Sequence, residues 1–434
     1  MVIVKAINLR YIRAMFRHIF KPRRIYLDYA SLTPIDKRVL ATMKKYSHND
    51  YANPSSWYKE GVAAKKVLES ARTSVAKSIN AHADEMVFTG GGTESNNVAI
   101  LGTIEAQRSR GLEYKDMHVV ASVIEHSSVL ECFDHLKKKG VQVDMVPVDE
   151  NGIVKLDELK NVIKPSTVLV SIMMVNNEIG SIQPIREIAK IVRKARSAKM
   201  TSPRMNSNEA LLPLFHTDAS QAFLYNEINL ENLGVDLLTL DGSKVYGPRG
   251  IGALYIRRDI PIEPVFFGGG QEKGIRSGTE NIPAIAGFAK AIELANSQRV
   301  SETVRIQKLR EQFIKGLKEV EEDINVNGRI MEKEERRMKK GERRMKNEEV
   351  QSPHILNVSI PKIDNEFFIL QLDAKGIACS TKSSCLRDED ESYVLRAIGA
   401  NSKDSIRFSF GRNTSSKDIV RVLKTVANTL EVRS

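Results

Sequence analysis

Several polar side chains of this sequence stand where apolar, strand-like runs end, and their types suit chemistry better than packing. The first is Lys244, in the stretch DGSKVYGPRGIGAL from Asp241 to Leu254. Apolar runs flank it: Val235, Leu237, Leu238 and Leu240 before, and Ile251, Ala253, Leu254, Tyr255 and Ile256 after. They read as two buried strands, and Gly242, Gly247, Pro248 and Gly250 punctuate a tight connection between them. Burial disfavours the ammonium form of a lysine held there, and a neutral amine attacks aldehydes to form a Schiff base. On this stretch alone, a surface lysine in a β-hairpin is the plainer reading. The second stretch is EMVFTGGGTESNNVAI, in which a strand over Met86 to Phe88 and the turn Gly90-Gly91-Gly92 precede a helix opening at Thr93. Free backbone N–H groups and the helix dipole make such a helix start favourable for an anion, and the Thr93 hydroxyl adds a donor. Many glycine turns of this kind bind nothing, and no G-K-[ST] follows to make a Walker loop.

The elements that must position these residues alternate between strand and helix patterns. MHVVASVIEHSSVL reads as a strand ending at His126, and STVLVSIMMVNNEIGSIQPI as one ending at Asn176, Asn177 and Glu178. LLPLFHTDASQAF reads as a strand ending at Asp218 and Gln221, and VDLLTLDGSK delivers Lys244. Strands separated by helix-sized segments imply a largely parallel sheet with helices on both faces. Ligands of such sheets gather beyond the strand C-termini. Thr93, His126, Asn177, Asp218, Gln221, Asp241, Ser243 and Lys244 all fall at that edge, and their convergence is a stronger signal than any one of them. Further on, a long helical pattern (AIAGFAKAIELANSQRVSETVRIQKLREQFIKGLKEV) reads as the hinge into a second unit. HILNVSIP, NEFFILQLDAKGIACST and DSIRFSFGR are expected to supply that unit's strands, and KDIVRVLKTVANTL its closing helix. The domain organisation expected is a basic extension (1–24), a segment joining the smaller domain (25–39), a large domain (40–297) and a small C-terminal domain (298–434) carrying a low-complexity insertion (329–349).

Composition narrows the function classes. The chain of 434 residues is long enough for two domains. No run of 18 apolar residues occurs, so no membrane span is expected. The formal charge of +12 raises the question of nucleic acid. Residues 1–24 carry seven Lys and Arg and no acid, and residues 329–349, where ERRMK occurs twice, carry nine basic and six acidic residues. Ten of the twelve net charges therefore lie in two appendages; the body is nearly balanced, and no direct nucleic-acid partner is expected. Cys132, Cys379 and Cys385 form no C-x-x-C pair, hence neither a disulfide framework nor a zinc set. A reducing compartment follows, and the expected location is cytoplasmic. An organelle matrix is the alternative if residues 1–24 are a transit peptide; that extension also suits a membrane-surface or partner-binding helix, or no function at all. Cys132 and Cys379 sit in apolar patterns and read as buried filler, whereas Cys385 lies in a polar stretch that suits an exposed loop. No histidine spacing suggests a metal.

A phosphate-accepting turn, an aspartate at a strand end and a Schiff-base lysine 26 residues later suggest pyridoxal 5'-phosphate as cofactor. Gly92 and Thr93 would hold its phosphate, and Asp218 would keep the pyridine nitrogen protonated. His126 would lie on the ring face and relay a proton, with Gln221 and Asn177 at the ring oxygen. The motifs YLDYASLTP, NPSSWYKEG, VFTGGGTESNN, EHSSVL, VNNEIGSIQPI, HTDASQA, SKVYGPRGIGALYIRR, GGGQEKGIRSGTEN, SSCLRDEDESYVLRAIG and SIRFSFGR occur in that order. Together they resemble the cysteine desulfurases of the NifS/IscS type, class V aminotransferase-like enzymes of fold type I, over residues 25 to 430.

The resemblance implies an α/β fold with a mainly parallel seven-stranded sheet in a large domain and a smaller α+β domain. Lys244 matches the cofactor lysine. Thr93, Asp241, Ser243 and Thr279 fall at phosphate-binding positions, the last supplied by the neighbouring subunit, so a homodimer is implied. His126, Asn177, Asp218 and Gln221 match ring-contacting residues, Arg407 the arginine that clamps the substrate carboxylate beside Asn177, and Cys385 the sulfur-accepting cysteine. The implied reaction takes sulfur from L-cysteine, leaving L-alanine and a persulfide on Cys385 that passes to an acceptor protein for iron–sulfur cluster assembly or tRNA thiolation. A selenocysteine lyase or other class V enzyme is the alternative activity. Two departures stand out: Ser243 replaces a histidine before the lysine, and Asp241 replaces a serine. An aspartate facing a phosphate is repulsive unless it turns away or bonds a backbone N–H, and this motivates a third reading, a catalytically degenerate scaffold.

Overall fold

The computed structural model describes residues 23–200, 212–328, 351–381 and 391–431. The chain enters on β1 (Ile25–Tyr26) and passes through helix α1 (Lys59–Lys77) to β2 (Met86–Thr89) and helix α2 (Gly92–Ser109). Next come β3 (His118–Ser122), α3 (Ser127–Lys138), β4 (Gln142–Val146), β5 (Thr167–Ser171), β6 (Leu214–Asp218), β7 (Leu237–Asp241) and β8 (Gly252–Ile256). These strands form a seven-stranded sheet in the order β2-β8-β7-β6-β5-β3-β4. Only β8 runs against its neighbours; the pairs from β7 to β4 are all parallel.

Both faces of this sheet are covered, which is why its strands are apolar without a break. Alternate residues point to opposite faces. Val119, Leu169, Leu214 and Leu237 join one apolar cluster, while Val120, Val170, Phe215 and Leu238 join the other. The C-termini of β2, β3, β5, β6 and β7 consequently share one edge, and helices α2 and α3 begin there.

Helix α4 (Ile282–Val320) follows, and the boundary expected at 297–298 lies inside it. It packs on α1 of the first layer and on α6 (Ser416–Glu431) of the C-terminal part. Beyond it, β9 (Asn325–Asn327), β10 (Ile355–Ser359) and β12 (Ser405–Ser409) make an antiparallel sheet in the order β12-β10-β9. The chain start joins this part: β1 pairs in parallel with β11 (Ile377–Ala378), and Asp28 bridges to Ser409.

Two sequence expectations change. NEFFILQLDAKGIACST is mostly helix α5 (Asn365–Ala374), with only Ile377–Ala378 extended. Asp364 caps that helix by accepting from the Phe367 N–H at 2.8 Å, and a short apolar run cannot by its period distinguish strand from helix. The runs toward His126 and Asn177 also leave the sheet early, at Ser122 and Ser171. Polar side chains replace the ladder there. The Asn176 amide donates to the Ile124 carbonyl (3.0 Å) and accepts from the N–H groups of Glu178 and Ile179 (2.8 and 3.0 Å). Residues 123–126 and 172–182 are thereby shaped as buried loops above the strand ends.

Candidate active site

Lys244 occupies the turn between β7 and β8. Residues Gly242–Lys244 form a single 3-10 turn capped by Asp241, whose carboxylate accepts the Ser243 N–H at 2.7 Å. The Lys244 ammonium donates to the carbonyls of Ala30 (3.1 Å) and Ser31 (2.5 Å). Thr33 braces the same turn. Its hydroxyl donates to the Ser243 carbonyl at 2.8 Å and accepts the Tyr246 N–H at 2.8 Å. The segment after β1 thus fixes the lysine from across the chain, a role that the motif YLDYASLTP could signal only as a motif.

At the glycine turn, Gly91 has φ 143°, a left-handed-side conformation that suits glycine. Gly252 of β8 packs so closely that a Cβ on it would lie 2.7 Å from the Gly91 carbonyl carbon. Gly92 opens α2, and its N–H donates to the second Asp241 oxygen at 3.3 Å. A Cβ at Gly92 would sit 3.1 Å from both that oxygen and the Ser220 hydroxyl. The Ser220 oxygen is itself buried without a hydrogen-bond partner among the described residues. Thus Gly92, Asp241 and Ser243 come together, and Ser220 joins them unannounced by the sequence. Asp241 does not point away: it takes the backbone bonds that were one of its two expected resolutions. Thr93 and His126 open onto a pocket of about 540 Å³ between α2 and α3, within the usual range for small-molecule sites. Thr279 is exposed and makes no hydrogen bond among the described residues. Its loop is moored by Arg276, which pairs with Glu94 at 2.7 Å.

Asp218 and His126 are joined by residues whose type alone did not mark them. Asn96 donates through Nδ2 to Asp218 (2.7 Å) and to the Ser128 hydroxyl (2.9 Å). Ser128 lies 2.8 Å from Nδ1 of His126, which also accepts the Ser128 N–H at 3.2 Å and so caps α3. The other Asp218 oxygen accepts from the Ser220 N–H at 2.9 Å. Gln221 donates to the Ala30 carbonyl (2.8 Å), the one that also receives Lys244, and faces His354 at 3.3 Å. Burial pushes His354 down to about 3 and His216 down to about 4. Both are therefore neutral near pH 7, and His216 serves as a buried link between Ser171 and Thr239. Beside His126, the fully buried Glu125 carboxyl is pushed up to about 8 by desolvation, although the Ser122 hydroxyl and the Met173 N–H donate to it.

Arg407, on β12, is only 1% exposed. Its guanidinium donates to the Asn177 carbonyl (2.9 Å), the Asp28 carboxylate (2.8 Å) and the Ser31 hydroxyl (2.7 Å), and its Nε is buried without a partner among the described residues. Arginine, asparagine and lysine segments therefore meet at residues 28–31.

Cys385 lies outside the described residues, but both ends of its stretch reach the site. Ser380 exchanges backbone hydrogen bonds with Arg407 (3.1 and 2.6 Å). On the far side, Ser392 donates to Glu178 and the Tyr393 hydroxyl to the Glu125 carbonyl, each at 2.6 Å. The other thiols are poor nucleophiles: burial pushes Cys132 up to about 12 and raises Cys379 as well. Among the described residues no cluster of His, Cys, Asp and Glu could hold a metal, and no helix is long and apolar enough to cross a membrane.

A mainly parallel sheet that presents a lysine turn, an anion-suited helix start and a buried aspartate at one edge defines the class of fold-type I enzymes. The sequence pattern of the aminotransferase class-V family matches residues 25–422, and the chain belongs to that family. It is 37% identical over 413 residues to the cysteine desulfurase IscS of Dictyoglomus turgidum, covering 94% of this chain and 95% of that protein. It is also 37% identical over 416 residues to the mitochondrial cysteine desulfurase of Saccharomyces cerevisiae, covering 94% and 75%. Among solved structures, a NifS-like protein superposes with a TM-score of 0.80 at 32% identity, over 94% of this chain and all of that one.

Proposed function

We propose that this chain is a pyridoxal-phosphate-dependent cysteine desulfurase that takes sulfur from L-cysteine, releases L-alanine and carries the sulfur as a persulfide on Cys385. The observation that carries this reading is the meeting of Lys244, the Gly92 turn, the Asp218–Asn96–Ser128–His126 chain and Arg407 at one sheet edge, in a chain whose relatives are cysteine desulfurases. The residues fit the cofactor: an orphaned Ser220 hydroxyl and the Gly92 N–H suit a phosphate, and the buried Asp218 suits a protonated ring nitrogen. When bound, the cofactor supplies an electron sink for the pair left by a broken Cα–H bond.

The chain's own residues do the rest. Lys244 Nζ would hold the cofactor through its aldehyde, and as a free amine it would take the substrate α-proton. Ala30 and Ser31 carbonyls hold that nitrogen in place in the meantime. Arg407, with Asn177 beside it, orients the substrate carboxylate; of its five N–H donors, that on Nε and one on Nη1 have no hydrogen-bond partner among the described residues. His126, held by Ser128, stands by to move a proton at the ring face. The Cys385 thiolate attacks the substrate sulfur, forming an S–S bond as the C–S bond breaks; the C–S pair stays on the substrate's β-carbon, and protonation there and at the α-carbon gives alanine.

A homodimer in which Thr279 reaches the partner's phosphate is part of the proposal, as is a sulfur-acceptor protein of iron–sulfur assembly or tRNA thiolation. A cytoplasmic location is proposed; the basic residues 1–24 and the name of the yeast relative support an organelle matrix as the alternative. Mass spectrometry after incubation with L-cysteine tests the core claim. One added sulfur on the Cys385 peptide, absent in Cys385→Ser and in Lys244→Ala, is expected. Alanine and sulfide release at the wild-type rate by Cys385→Ser would overturn the persulfide route. Release by Lys244→Ala at that rate would overturn the cofactor assignment.

A further inference from the structure

The proposed phosphate cradle holds an anion of its own. Asp241 ends β7, and its carboxylate accepts the Ser243 N–H at 2.7 Å and the Gly92 N–H at 3.3 Å. These are main-chain donors that the lysine turn and the first turn of α2 would offer a ligand. The Gly92 bond is long for an N–H···O contact and is the weaker of the two. On the other side of Gly92 stands Ser220: a Cβ at Gly92 would lie 3.1 Å from its hydroxyl and from the Asp241 oxygen alike. The Ser220 hydroxyl is buried and has no hydrogen-bond partner among the described residues. One face of the cradle is thus already served by a carboxylate, and the other holds an unsatisfied donor.

We infer, resting on the cofactor reading above, that Asp241 is a resident competitor for the phosphate subsite and sets how much a cofactor phosphate adds to binding. A phosphate monoester carries a charge of about −1.5 to −2 near pH 7. To enter this cradle it must draw the Gly92 N–H away from Asp241 and stand beside a like charge in a partly buried place. Both effects weaken the hold on the phosphate without acting on the aldehyde, which Lys244 takes, or on the ring nitrogen, which faces Asp218. The chain therefore distinguishes pyridoxal 5'-phosphate from pyridoxal less sharply than an uncharged residue at 241 would allow. In the absence of phosphate the same carboxylate ties β7, the lysine turn and the start of α2 together, keeping the cradle formed.

Asp241→Asn and Asp241→Ser test this, because both retain an oxygen that caps the Ser243 N–H while removing the charge. The full-length protein, stripped of cofactor, is titrated with pyridoxal 5'-phosphate and separately with pyridoxal, following the visible absorbance of the lysine adduct. The dissociation constant for pyridoxal divided by that for pyridoxal 5'-phosphate isolates the phosphate. In both variants it should rise over wild type by about tenfold to a hundredfold, with the pyridoxal constant shifting less than about threefold. Calorimetry with pyridoxine 5'-phosphate and pyridoxine, which form no adduct with Lys244, should show the same change in ratio. An unchanged or smaller ratio in both variants overturns the inference. So does a pyridoxal constant that shifts as much as that of the phosphate, since the effect would then lie in the lysine turn. If the wild type forms no adduct with either aldehyde, the cofactor reading itself fails, and the inference with it.

Discussion

Replacing Asn96 by alanine severs the connection between Asp218 and His126. The wild-type amide gives one hydrogen bond to a buried carboxylate at 2.7 Å and one to the Ser128 hydroxyl at 2.9 Å. Bonds to charged groups contribute about 1.5–3 kcal/mol and neutral ones about 1 kcal/mol. The Asn96 carbonyl oxygen is buried without a partner among the described residues, so its removal offsets about 1 kcal/mol of the loss. The net cost to folding is about 1.5–3 kcal/mol, a drop of a few degrees in Tm. The loss at the reaction should be of similar size, because Asp218 and the Ser128–His126 pair lose the group that fixes their relative positions. That corresponds to a fall of about 10- to 100-fold in kcat/KM for L-cysteine. Asn96→Asp keeps the shape but sets a carboxylate against Asp218, and should fall further. Alanine release and thermal unfolding are measured on the same preparations. Unchanged kcat/KM with a lowered Tm would show that the chain of bonds only supports the fold, and unchanged values of both would refute the reasoning altogether.

Other outcomes follow from the same geometry. Glu125 titrates at about 8 in the folded chain against an ordinary value of 4.5. A raised acid contributes its stability fully below 4.5 and loses it as pH rises to 8. Relative to Glu125→Gln, the wild type should therefore lose several kcal/mol across that window and run parallel outside it; parallel Tm curves throughout would contradict the burial argument. Arg72 and Glu272 form a buried bidentate pair (2.7 Å each), and Glu272 also accepts the Phe88 N–H at 2.7 Å. Glu272→Gln removes the charge from this pair while Arg72 keeps the Met86 carbonyl (3.0 Å) and Glu69 (3.4 Å), and should destabilise by about 1.5–3 kcal/mol, read by denaturant unfolding. Thr33→Val removes two bonds at the lysine turn and should cost about 2 kcal/mol and speed cofactor release, followed by loss of absorbance on dilution.

Much of this site can be read from residue order. Thr93, His126, Asp218 and Lys244 each follow an apolar run, and runs of that kind separated by helices admit one arrangement, a parallel sheet whose strand ends share an edge. What those residues touch was not readable in the same way. Asn96 and Ser128 look like ordinary helix residues until two helix starts are set side by side, and Ser220 becomes notable only because Gly92 packs against it. Nothing local shows that Ala30 and Ser31 lend their carbonyls to a lysine more than two hundred positions away.

By itself, the sequence determined that helices stack over a mainly parallel sheet and that Thr93, His126, Asp218 and Lys244 stand near its edge, because apolar period and glycine punctuation are properties of neighbouring residues; the helix over Asn365–Ala374 escaped it, since a short apolar run has no period that separates helix from strand. Only the tertiary structure decided how the charges pair. Asp241 could have faced away from the glycine turn or into it, and Arg407 could have stood open or, as it does, bonded to Asp28 and Ser31. Such choices depend on which backbone donors a distant segment brings within hydrogen-bond reach, and that is settled by packing across the whole molecule.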